Sequence, residues 1–144
     1  MYERILVPTD GSDHSNQAAD HAISLAEQFG AMIHALFVVE QAGPSGHWDF
    51  AVEKREAIGE EALDGVAVLG EERGVHVESH LRRGVPSEEI VDAATDYETD
   101  LIVMGTRGRT GFSRVVTAGS TTERVVRLTA VPTLVIGGAG TGDG

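Results

Sequence analysis

Cysteine is absent from the 144 residues, which excludes a disulfide framework, a thiolate metal centre and a cysteine nucleophile. Lysine is nearly absent: Lys54 stands alone, and every other cation is an arginine. No run approaches the ~20 apolar residues of a membrane span. Met1-Tyr2-Glu3-Arg4 leads straight into a short apolar strand without a signal-peptide core, so no membrane insertion and a cytoplasmic location are expected. Positive charge is scarce, with 11 Lys plus Arg against 23 Asp plus Glu and a net charge of -12. Such a balance argues against nucleic-acid binding, which needs a basic face to release counterions. It also repels itself unless salt screens it, which implies a salt-rich cytoplasm, with an acidic mesophile as the alternative. What is present is ordinary for a folded chain, 41% hydrophobic and 24% charged residues in a length that suits one domain.

Along the chain, apolar runs alternate with helical periodicity. Arg4-Ile5-Leu6-Val7-Pro8 reads as a strand, and Asp10-Gly11-Ser12-Asp13 as a turn offering helix caps. Ala18, Ala22, Leu25 and Phe29 recur at helical spacing, closed by Gly30. Ala35 to Val39 form a second apolar strand. The loop Gly43-Pro44-Ser45-Gly46 then opens a helical stretch with Ile58, Ala62, Val66 and Leu69 on one face, interrupted by Gly59, Gly65 and Gly70 at ~1 kcal/mol each. Val75, Val77, Ser79 and Leu81 alternate as a strand, and Pro86 with Glu88 and Glu89 starts a third helix. Leu101-Ile102-Val103-Met104 is apolar throughout, as a strand covered on both faces must be. A helix from about Ser120 and a strand Thr133–Ile136 complete residues 1–137, and the glycine-rich tail 138–144 is expected to be flexible. Five strands alternating with four helices predict an α/β domain, an open and mostly parallel five-stranded sheet with helices on both faces. Ligands of such sheets sit beyond the carboxyl ends of the strands, where strand order reverses.

The loop after Met104 concentrates the chemistry. Gly105 and Gly108 follow the buried strand and let backbone amides approach a ligand, while Gly119-Ser120 opens a helix whose free amides suit an anion. Arg107, Arg109, Arg114, Arg124 and Arg127 face only Glu123 among acids from Met104 to Arg127, so a polyphosphate is the natural guest. The same residues allow plainer roles: Ser120 and Glu123 fit a capping box, and the glycines fit a turn. Asp10 suits either an adenine amine, a ribose hydroxyl or a helix cap, and Val38 and Met104 either an apolar slot for a flat ring or simple core.

Familiar catalytic signatures are missing. There is no G-x-x-x-x-G-K-[ST] loop, no G-x-G-x-x-G after the first strand, no lysine near the last strand for a phosphoacceptor site and no G-x-S-x-G elbow. The six histidines, His14, His21, His34, His47, His76 and His80, form no i, i+4 helical pair with a third ligand, so no metal site is expected. Asp10 to Ser15 could pass for a degenerate pyrophosphate loop of ATP-splitting adenylyl transferases, but a leading glycine is lacking.

The segments Val7-Pro8-Thr9-Asp10-Gly11-Ser12, Leu101 to Gly111 and Gly119-Ser120 together resemble the universal stress protein family over residues 2–137. The nucleotide-binding branch of that family carries two glycines two residues apart, then nine residues, then glycine and serine or threonine. Gly105, Gly108, Gly119 and Ser120 follow this with ten intervening residues in place of nine. The resemblance implies a Rossmann-like fold of the adenine nucleotide alpha-hydrolase type holding ATP, with AMP or ADP as variants and Mg2+ on the phosphates. It assigns the nucleotide to Pro8, Thr9, Asp10, Val38, Met104, Gly105, Arg107, Gly108, Arg109, Gly119, Ser120 and Thr121. It implies a stress-response regulator rather than an enzyme, with a slow ATP hydrolase, a nucleotidyl-transfer enzyme or a dimerising module without nucleotide as alternatives. Thr133–Ile136 carries no charge to discourage pairing, so a homodimer through that strand is expected, as the resemblance also implies.

Overall fold

The computed structural model describes residues 2–40, 48–106 and 120–137. Its elements run β1 (Arg4–Pro8), α1 (Asp13–Phe29), β2 (Met32–Val39), α2 (Trp48–Glu72), β3 (Val77–Arg83), α3 (Pro86–Asp96), β4 (Leu101–Gly105), α4 (Ser120–Leu128) and β5 (Thr133–Ile136). The five strands form one sheet in the order β3-β2-β1-β4-β5, and every pairing is parallel. The tail 138–144 lies outside the described residues. Among the described residues no helix is long and apolar enough to cross a membrane.

Strand alternation sorts the core into two layers. Ile5, Val7, Ile33, Ala35, Phe37, Val39, Leu101 and Val103 meet Ala18, Ala22 and Ile23 of α1 and Leu63 and Val66 of α2. The opposite side chains, Leu6, Leu36, Ile102 and Met104, meet Ile90, Ala93 and Ala94 of α3 and Val125 of α4. Period-two placement in the strands therefore supplies both faces from one continuous apolar run, and the helices close over each face. The strand β2 begins at Met32, three residues before the apolar run Ala35–Val39, because His34 is carried on the α3 face of the same strand.

Local signals position the helices. Ser12 caps α1, its Oγ accepting a hydrogen bond from the Ser15 amide at 3.2 Å, and Gly30 ends the helix in the left-handed region at φ 69°. Asp10 is not the cap: its Oδ1 accepts from the Ser12 amide at 2.9 Å and shapes the turn that precedes the cap. Pro86 occupies the first turn of α3, where a missing N–H costs nothing. In α2 two of the three glycines, Gly59 and Gly70, are contact points, whereas a Cβ on Gly65 would meet open space. A Cβ on Gly59 would stand 2.3 Å from the Phe37 ring, and one on Gly70 2.4 Å from the Val77 side chain. The helix lies so close to the sheet that alanine does not fit at either position.

Candidate functional site

The sheet is open at one place along its carboxyl edge. Between β1 and β2 the ladder continues to Pro8↔Leu36, and between β4 and β5 to Gly105↔Ile136. Between β1 and β4 it stops at Leu6↔Ile102, so the ends Val7–Pro8 and Val103–Gly105 share no ladder pair with each other. These are the two strands from which the chain order runs outward in both directions, the topological switch point of an open parallel sheet.

Three segments converge there. The first is the exit of β1, where a compact hydrogen-bond set fixes the backbone. The Thr9 amide donates to Leu36 O at 2.8 Å, Thr9 Oγ1 lies 3.1 Å from Ser15 Oγ, and the Gly11 amide donates to Thr9 Oγ1 at 3.2 Å. Thr9 and Ser15 are both buried, so their hydroxyls satisfy one another instead of facing water. Asp10 is half-buried at the rim of this turn.

The second segment is the end of β4. A Cβ on Gly105 would meet the backbone of His14 in the first turn of α1, 2.9 Å from its carbonyl oxygen. The glycine thus permits a close approach of helix to strand as well as the ligand access read from sequence. His14 Nδ1 is buried beside this contact and finds no hydrogen-bond partner among the described residues.

The third is the start of α4. Thr122 Oγ1 donates to Gly105 O at 2.7 Å, which tethers the amino end of the helix to the end of β4. The amino end of α4 therefore starts beside the same edge, and the helix dipole favours an anion at that end.

Of the residues singled out from sequence, Pro8, Thr9, Asp10, Met104, Gly105, Ser120 and Thr121 come together at or beside this edge, with Ser120 and Thr121 opening α4. Val38 joins from β2, two residues past the partner of Pro8, and packs against the layer that contains Met104. Met104 is almost fully buried, so it is core as well as a candidate wall of the site. Arg107, Gly108, Arg109 and Gly119 lie outside the described residues. Thr122, His14 and Ser15 were not legible beforehand. Thr122 and Ser15 matter through partners 17 and six residues away, and threonine and serine carry no periodic signature of such ties.

A second polar group occupies the α3 face between β2 and β3. The rings of His34, His80 and Tyr97 are stacked, with centroids 5.1 Å apart for the two histidines and 4.0 Å for His80 and Tyr97. Burial holds both imidazoles below their ordinary value of 6.5, with each ring's charged neighbours adding smaller effects of either sign. Arg82 closes the stack from the carboxyl side, donating to Glu89 at 2.8 Å and to the Tyr97 hydroxyl at 3.2 Å, and pairing with Asp96 at 3.2 Å. These acceptors raise its already high pKa further, so it is permanently charged and satisfied.

Comparison with known proteins places this geometry in context. A sequence profile of the Universal stress protein family matches residues 1–137. A universal stress protein of Methanocaldococcus jannaschii is 41% identical over 141 residues, covering 94% of this chain and 82% of that protein. The solved universal stress protein UspA of Lactobacillus plantarum has a TM-score of 0.80 at 31% identity, covering 94% of this chain and 97% of that one. A universal stress protein of Archaeoglobus fulgidus solved in complex with dAMP has a TM-score of 0.74, covering 94% and 98% of the two chains; at 21% identity that likeness is one of fold.

Proposed function

We propose, from the premise that the chain belongs to the universal stress protein family, that it is a regulatory protein whose conformation or partner affinity depends on an adenine nucleotide, ATP above all, bound at the gap between β1 and β4. The observation that carries this reading is the early end of the β1–β4 ladder with the amino end of α4 tethered over it. Backbone amides at this edge suit phosphates, Asp10 suits a ribose hydroxyl or the adenine amine, and Val38 and Met104 suit the base. Arg107, Gly108, Arg109, Gly119, Ser120 and Thr121 complete the phosphate side, and Mg2+ would accompany the phosphates. Some structural neighbours bind adenine nucleotides, the dAMP complex among them. A hydrolase is the weaker reading, because the hydroxyls of Thr9, Ser12 and Ser15 are engaged in fixing the turn and Asp10 Oδ1 accepts from the Ser12 amide.

Thermal unfolding with and without nucleotide tests it. ATP at 100 times its dissociation constant is expected to add about 2.7 kcal/mol of stability, and Asp10→Ala to remove most of that gain. An unchanged transition at saturating ATP and AMP would leave a dimerising module without nucleotide as the function.

The proposal includes a homodimer through β5. Both β3 and β5 are sheet edges, but β3 carries Glu78, Arg82 and Arg83, whereas β5 is Thr-Leu-Val-Ile with Val135 exposed. Charged edges discourage pairing and uncharged ones invite it. Light scattering at working salt is expected to return the mass of two chains, with Val135→Lys returning that of one; a wild-type monomer refutes the dimer.

A further inference from the structure

Away from the carboxyl edge, β2 and β3 gather three metal-ligating side chains on the α3 face of the sheet. His34 and Glu78 are register partners, and His80 follows Glu78 by two, which puts all three on one face. His34 Nδ1 lies 2.9 Å from His80 Nε2 and 3.8 Å from Glu78 Oε1. One ligand atom from each residue falls within 4.8 Å of the other two. The Tyr97 ring, stacked on both imidazoles, fixes their planes, so the two nitrogens are held in place before any ion arrives. His34 is buried, His80 half-buried and Glu78 exposed, which leaves the group closed on the protein side and open on the solvent side.

We propose that His34 Nδ1, His80 Nε2 and the Glu78 carboxylate form a binding site for a divalent transition-metal ion of the zinc type, with at least one coordination position open to solvent. Bonds of ~2.0–2.1 Å to zinc in a tetrahedral shell put neighbouring ligand atoms ~3.3 Å apart. The separations of 2.9 and 3.8 Å stand on either side of that figure, so small side-chain adjustments reach it without moving the strands. The donor set decides the ion class: two imidazoles and one carboxylate suit Zn2+, Ni2+ or Cu2+, whereas Mg2+ and Ca2+ seek oxygen. His76 Nε2 stands 3.6 Å from the other carboxylate oxygen of Glu78 and serves to orient it. The bound form has both rings neutral, His34 carrying its proton on Nε2 and His80 on Nδ1. This site is separate from the nucleotide reading and does not depend on it.

The test uses the full chain, treated with chelator and free of nucleotide. Calorimetric titration with ZnCl2 is expected to give one ion per chain and a raised unfolding temperature that chelator reverses. Co2+ is expected to give the intense visible bands of a low-coordinate nitrogen-ligated site, and Mg2+ to give no binding. His80→Gln abolishes the one-ion step, and Glu78→Gln weakens it at least by the ~10–100-fold that even an outer-shell change costs. His21→Gln, an exposed histidine on α1, leaves it unchanged. Absence of Zn2+ binding and of Co2+ bands in the wild-type chain overturns the proposal, independently of how the variants fold. So does a one-ion step that survives in folded His80→Gln.

Discussion

Gly105→Ala is expected to lower stability by ~1–3 kcal/mol and to eliminate the stabilisation by ATP. The added Cβ would lie 2.9 Å from the carbonyl oxygen of His14 and 3.1 Å from its carbonyl carbon. Both atoms belong to the backbone of the first turn of α1, which cannot swing aside as a flexible side chain can. Either β4 or α1 has to shift, and Gly105 O takes its bond to Thr122 Oγ1 with it. One methyl group therefore disturbs all three segments of the candidate site at once. Urea denaturation measures the first effect and an ATP titration of the unfolding temperature the second. Wild-type values for both would mean that the helix-strand approach is slack and that the site does not rely on it.

A larger loss of stability, ~2–5 kcal/mol, is expected for Ile102→Ala. Ile102 has no exposed surface, pairs with both Leu6 and Thr133, and lies in the layer of Leu36, Ile90, Ala93 and Val125. Removing its side chain opens a cavity under α3 and α4 that a strand paired on both sides cannot collapse to fill. Val126→Ala on the outer face of α4 is the matched control, since Val126 is half exposed, and its effect is expected to stay within ~0.5 kcal/mol. A midpoint in urea for Ile102→Ala equal to that of the control would contradict the two-layer core.

These two positions also mark how far local reading goes. Apolarity on both faces of Leu101 to Met104 is visible in the residues themselves, and it correctly implies a covered central strand. The caps were equally local: Gly30 and Pro86 act where their backbone preferences put them. Reading Gly59 and Gly70 as costs to α2 missed their purpose, because the Phe37 ring and the Val77 side chain that require them come from other strands. At the candidate site, the loop residues at the ends of β1 and β4 could be named from sequence. Their tie through Thr122 could not, since a threonine donating to a carbonyl 17 residues earlier leaves no pattern in the chain.

The histidines make the same division sharpest. Helical spacing does not describe how they cluster, for Glu78 and His80 stand together through the period of two along a strand. Even that leaves out His34, 46 residues from His80 and adjacent only because β2 lies beside β3 in a particular register. Residue order alone determined which segments are strands and which are helices, because caps and periodicity act over a few residues, while strand limits such as the start of β2 at Met32 were set by pairing in the sheet. Strand order, the gap between β1 and β4 and the meeting of His34 with His80 were decided by the packed sheet, where helices on both faces choose among pairings that no short stretch of chain can distinguish.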